Sequence, residues 1–167
     1  MLEYTLEEVK ELSVLQRGDQ LAVRRNKIGF DYLHFGIFLG AVNGVAEVSS
    51  KGLRINHLFK FKRDSQLLRV VYPSGQCLDS EEVAQKAEKF VRNPEHWGEF
   101  HLVTNNCEHF CTYCKTGIAF SKQVKDIDAI GSGVVGSVLM TLPLTSSKQH
   151  SPRNEGKFKD EAGIDLD

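Results

Sequence analysis

Apolar and polar residues alternate most regularly over Leu33 to Leu39. Leu33, Phe35, Ile37 and Leu39 fall on one face and His34, Gly36 and Phe38 on the other, the period of two expected of a β-strand. One histidine thus stands on a face where a glycine leaves room. The turn-rich connection Gly40 to Gly44 leads to a strand over Val45 to Ser49, which completes a hairpin. A shorter strand is predicted over Gln20 to Arg25, after an Arg17-Gly18-Asp19 turn and leading into a basic loop at Arg24, Arg25 and Lys27. Another is predicted over Gln66 to Tyr72, ended by Pro73-Ser74-Gly75.

Helical spacing occurs in three places. Leu2, Leu6, Val9 and Leu12 recur with helical period and Thr5 and Glu8 have capping-box spacing, so the first twelve residues are predicted to form an amphipathic helix packed on the body. Asp79 has the character of an N-cap for a helix to Arg92, with Val83, Ala87, Phe90 and Val91 turned inward and Asn93-Pro94 as its stop. Trp97 to Val103 is expected to be extended and to deliver the chain to Asn105-Asn106. Cys107 to Lys115 then forms a helix stopped by Gly117.

The 167 residues fit one domain of the usual ~100–200 residues, expected here over 1–127. A composition of 41% hydrophobic and 26% charged residues argues against collagen-like, coiled-coil or wholly disordered chains. The net charge of -1 gives no whole-molecule attraction to nucleic acid, and none is expected as a partner. Four cysteines are too few for a disulfide scaffold, and Glu3, Glu7, Glu8 and Glu11 leave no apolar signal-peptide core near Met1. Reduced thiols in a cytoplasmic setting are therefore the default.

Residues 128–147 form a Gly-rich stretch that carries no charge from Ala129 to Ser147. As a helix, its apolar centre from Ile130 to Leu144 would reach about 22 Å against a hydrocarbon core of ~30 Å. A clean span is not expected, while a packing helix, an interfacial anchor and a flexible arm all stay open. Residues 148–167 are polar and mixed in charge, and are expected to be disordered.

Chemistry concentrates around Cys107. Asn105 or Asn106 can cap the helix that Cys107 opens, placing the thiol in a first turn whose unpaired amides and dipole stabilise a thiolate. The same amides can stabilise an oxyanion formed when the sulfur attacks a carbonyl. A cysteine nucleophile also needs a base and a group to orient it, and His34 is the best-placed base. His109 lies about 200° round the helix from Cys107 and does not serve. Cys107, Cys111 and Cys114 share a helical face, but structural zinc usually draws on two separated ligand pairs and no second pair exists. No metal and no cofactor are expected.

His34-Phe35-Gly36-Ile37-Phe38-Leu39-Gly40, followed downstream by Asn105-Asn106-Cys107-Glu108-His109-Phe110-Cys111, resembles the two signature blocks of the lecithin retinol acyltransferase-like family, which includes small phospholipases A and acyltransferases. The likeness extends over roughly Leu12 to Gly117. It implies a circularly permuted papain-like α+β fold, with an antiparallel sheet packed against a helix that carries the cysteine nucleophile at its N-terminus. It also implies Cys107 as nucleophile, His34 as base and glycerophospholipid as substrate.

The third catalytic position departs from the family pattern, since Glu47 stands where most members have histidine. A carboxylate can also hold the other imidazole nitrogen. Register decides whether it does. With a four-residue loop over Gly40 to Asn43, Leu39 pairs with Gly44 and Glu47 lies opposite Gly36, one diagonal step from His34. With a two-residue Asn43-Gly44 turn, Glu47 sits about 20 Å from His34 along the strand.

Lys51 to Arg63 has no acidic residue and interleaves basic side chains with Leu53, Ile55, Leu58, Phe59 and Phe61. Arg54, Lys60, Lys62 and Arg63 are candidates for contact with an anionic membrane surface, with a solvated loop or edge strand as the plainer reading. The leading expectation is a thiol-dependent phospholipase A or acyltransferase. The alternatives are a catalytically weakened membrane-associated or signalling protein of the same fold, and a thiol peptidase.

Overall fold

A computed structural model of the chain describes residues 3–27 and 29–130. The expectations placed on 131–167 lie outside the described residues. Six strands form one antiparallel sheet: β1 (Thr5–Glu8), β2 (Gln20–Lys27), β3 (Phe30–Phe38), β4 (Gly44–Ser49), β5 (Gly52–His57) and β6 (Leu67–Val71), in the spatial order β1-β6-β2-β3-β4-β5. The helices are α1 (Leu58–Lys62), α2 (Ser80–Arg92), α3 (Cys107–Thr116) and α4 (Lys122–Ile130). The sheet precedes the cysteine helix in the chain, so the fold is α+β in the order of a permuted papain-like arrangement.

The alternation along β3 divides two apolar clusters. Phe35, Ile37 and Leu39 join Ala46 and Val48 of β4, Val83, Ala84 and Ala87 of α2, and Phe110, Cys111 and Cys114 of α3 in the larger core. Phe38 joins Leu21, Val23, Val45, Leu58, Phe61 and Leu67 in the smaller one. Asp79 caps α2 as expected, its carboxylate accepting from the Glu81 N–H at 2.9 Å. Gly117, at φ 79, ends α3 in the left-handed region, where a side chain would be strained.

Three expectations fail. The N-terminal segment is a strand, not a helix: Thr5 to Glu8 pair with Val71 to Leu68 of β6. Tertiary pairing along an exposed sheet edge overrides a weak local period, and the residue that anchors the segment is Tyr4, 6% exposed in the larger core. Arg24, Arg25 and Lys27 lie within β2, which runs on to Lys27 because β3 begins as early as Phe30 and pairs with it. Trp97 to Val103 forms no strand. That stretch is held instead by a bridge between His101 and Asn105 and by Trp97 packing edge-on to Phe90 and Phe110.

Candidate active site

The β3–β4 register is the one with the four-residue loop: Gly36 pairs with Glu47, Ile37 with Ala46 and Phe38 with Val45, and the Leu39 N–H donates to the Gly44 carbonyl at 2.8 Å. The turn signal of Asn43-Gly44 is overridden from outside the hairpin. Arg17, tied to Glu81 and Glu88 of α2, donates to the Leu39 carbonyl at 2.6 Å and ends the strand there. Gly40 then turns at φ 75 beside the Arg17 stem, where a Cβ would lie 3.2 Å from the Arg17 Cβ. Gly44 is left to pair with His57 of β5.

That register brings Glu47 to His34, whose Nε2 lies 2.8 Å from the Glu47 Oε2. Glu47 is 3% exposed, and its second oxygen accepts from Asn56 Nδ2 at 2.6 Å and from Arg54 Nε at 3.1 Å, both on β5. Burial pushes the Glu47 pKa up, but His34, Asn56 and Arg54 outweigh it and hold the carboxyl below its usual range.

On its other side His34 lies within electrostatic and hydrogen-bonding reach of the Cys107 side chain. With Nε2 on Glu47, the ring nitrogen left over is Nδ1. Strands β3 and β4 pair only as far as the Gly36–Glu47 step, and α3 packs against both, so a residue at its N-terminus reaches the histidine. Burial opposes a charge on His34, while Cys107 and Glu47 favour one more strongly and raise its pKa to about 9. The arrangement suits an imidazolium held by the Glu47 carboxylate.

The cap of α3 is Asn106. Its Oδ1 accepts from the Glu108 N–H at 2.9 Å and the His109 N–H at 3.1 Å, and His109 Nδ1 completes a capping box. The amide nearest the sulfur, the Cys107 N–H, is the one this cap does not take. Asn105 does not cap the helix. Its amide donates to the Glu99 carbonyl at 2.7 Å, bracing the preceding loop.

The sequence matches the family model of lecithin retinol acyltransferase over residues 13–120. This chain belongs to the lecithin retinol acyltransferase family. It is 44% identical over 146 residues to lecithin retinol acyltransferase of Homo sapiens and 31% identical over 146 residues to that of Bos taurus. Each alignment covers 68% of this chain and 60% of the relative, so the chain spans less than two thirds of the length of these relatives.

For this family member the structure also corrects details around the site. The space at Gly36 is not open to the cysteine helix: a Cβ there would lie 2.4 Å from Val45 Cγ1 and 3.0 Å from Phe61 Cε2. Phe61 instead lies beside the imidazole, with ring centroids 5.5 Å apart. Arg54, expected at a lipid surface, turns its guanidinium to Glu47. Lys60 and Arg63 are exposed and Lys62 is half-buried. Cys111 and Cys114 are buried core thiols; burial raises the Cys111 pKa well above its ordinary value and pushes that of Cys114 up to about 12. Among the described residues no group of three or more His, Cys, Asp or Glu side chains is arranged to hold a metal ion.

Sequence reasoning missed Asn56 and Glu108. Asn56 is two residues from Arg54 on β5, so alternation alone places both on the face of Glu47. Glu108 is three and four positions from Cys111 and Thr112, which marks it as an acidic residue on a buried helical face.

Proposed function

We propose that this family member is a thiol-dependent phospholipase A and acyltransferase that takes a fatty-acyl group from glycerophospholipid onto Cys107. The observation that carries the reading is His34 held between Cys107 and Glu47. The Cys107 thiolate attacks the ester carbonyl, and the Cys107 N–H at the start of α3 stabilises the oxyanion. His34 then gives its proton to the departing lysophospholipid oxygen, which leaves a thioester. Water, or an amine or alcohol acceptor, adds to the thioester as His34 takes back a proton, and the thiolate is regenerated. Glu47 keeps the imidazole oriented and its charged form stabilised throughout.

An anionic membrane surface is the proposed setting. Phe59 is 62% exposed and Val42 is 88% exposed, and the Gly44–His57 pairing brings their two segments together. Lys60 adjoins this apolar pair, a combination suited to a lipid interface. Among the described residues no helix is long and apolar enough to cross a membrane.

Incubation with acyl-labelled phosphatidylcholine followed by acid trapping tests the reading. A hydroxylamine-sensitive adduct on Cys107, absent from Cys107→Ala, is the expected result. A folded wild-type protein that binds vesicles without forming the adduct would favour a non-catalytic membrane-associated protein. Turnover of peptide amides in preference to lipid esters would favour a thiol peptidase.

A further inference from the structure

Glu108, the neighbour of Cys107, is fully buried and takes no part in the chemistry above. Its Oε1 accepts from the Tyr4 hydroxyl at 2.5 Å and the Lys122 N–H at 2.8 Å. Its Oε2 accepts from Ser121 Oγ at 2.5 Å and from Gln123 through the backbone N–H and Nε2, both at 3.2 Å. The carboxylate thereby caps the N-terminus of α4, where negative charge is stabilised.

Gln123 extends this contact to the other half of the site. Its Oε1 accepts from the Leu33 N–H at 2.7 Å and its Nε2 donates to the Leu33 carbonyl at 3.0 Å. β3 is paired with β2 from Phe30 to Ile37 but with β4 only from Gly36 onward. One side-chain amide therefore does for Leu33 what a neighbouring strand would do, satisfying both backbone groups one residue before His34. A chain of contacts runs from Glu108, next to Cys107, through Gln123 to Leu33, next to His34.

We propose that Gln123, anchored by Glu108, is a positioning residue that sets the placement of the His34 imidazole against the Cys107 sulfur. The proposal rests on the catalytic reading above for its kinetic consequence, but not for its structural one. Without this link the backbone of β3 beside His34 is paired with β2 alone. A small drift of the imidazole would then loosen its contact with the thiol, and loss of alignment at a reacting pair costs rate more than binding.

The test compares full-length wild type with Gln123→Met, which keeps side-chain length and loses every amide bond, and with Thr112→Val. Thr112 pins the same segment through Phe120, its Oγ1 donating to the Phe120 carbonyl at 2.8 Å, but makes no bond to β3. The readouts are the NMR titration of the His34 imidazole and the steady-state constants on phosphatidylcholine vesicles. Gln123→Met is expected to move the His34 titration down by about one pH unit as the charged partners loosen. It should lower kcat about tenfold with KM unchanged, while Thr112→Val leaves the His34 titration in place. An unmoved titration in Gln123→Met, or an equal shift in Thr112→Val, would overturn the proposal. The titration needs no lipid: a protein inert towards phosphatidylcholine would overturn the functional reading, and a His34 shift confined to Gln123→Met would still support the positioning role.

Discussion

His34 Nε2 and Glu47 Oε2 lie 2.8 Å apart across the β3–β4 pair. A buried carboxylate in this position fixes the imidazole and stabilises its charged form. Glu47→Gln keeps the shape and removes the charge. It is expected to lower kcat on the order of 10²-fold or more and to bring the His34 titration down from about 9. Steady-state rates and NMR of the imidazole, measured on the same preparation, check both; unchanged values in both would remove Glu47 from the site.

Stability should depend on pH from two sides. His34 titrates at about 9 in the folded protein, above its ordinary value of 6.5. Its contribution is therefore complete below about 6.5 and is lost as pH rises through about 9. Glu47 is shifted the other way, so its contribution is present above the ordinary carboxylate pKa and is lost as pH falls through its lower folded value. Urea unfolding across about pH 2 to 10 is expected to show a broad optimum, with an alkaline decline that is weaker in Glu47→Gln. Identical alkaline slopes for the two proteins would contradict the coupling.

Asn56 donates to Glu47 Oε1 at 2.6 Å. Asn56→Ala should weaken the hold on the carboxylate without removing its charge, so the expected loss is smaller than for Glu47→Gln, about three- to tenfold in kcat at unchanged KM. A change confined to KM would instead place Asn56 in substrate binding.

Gly36 is predicted to tolerate no side chain. Alanine would meet Val45 and Phe61 at 2.4 and 3.0 Å, and overpacking of this kind costs about 1–3 kcal/mol. Chemical denaturation of Gly36→Ala measures it, and a loss below about 0.5 kcal/mol would mean that the Val45 side chain rotates away freely.

Asn106→Ala removes the cap at the start of α3, an expected loss of about 1 kcal/mol. It also frees the Glu108 and His109 amides that Asn106 now holds. Asn105→Ala leaves this cap intact, so the stability of Asn106→Ala should fall by more. Equal losses in thermal unfolding would assign the two asparagines one shared structural role.

Local periodicity determined the parts of this protein that depend on neighbours in the chain. The two faces of β3, the capped helix after Asn106 and the span of α2 could be read directly, because a period of two or 3.6 states which side chains share a face. The family blocks added His34 and Cys107. The third partner was undetermined at that level, since Asn43-Gly44 and a four-residue loop are both good hairpin connections, and the two place Glu47 at positions about 13 Å apart along β3. The tertiary structure holds the four-residue loop: Arg17, paired with Glu81 and Glu88 of a helix far along the chain, donates to the Leu39 carbonyl beside the turn at Gly40. The N-terminal strand and the Glu108–Gln123 link were decided in the same way. Each satisfies backbone or charge with a partner more than ten residues away, and no local pattern records which distant group will be there when the sheet closes.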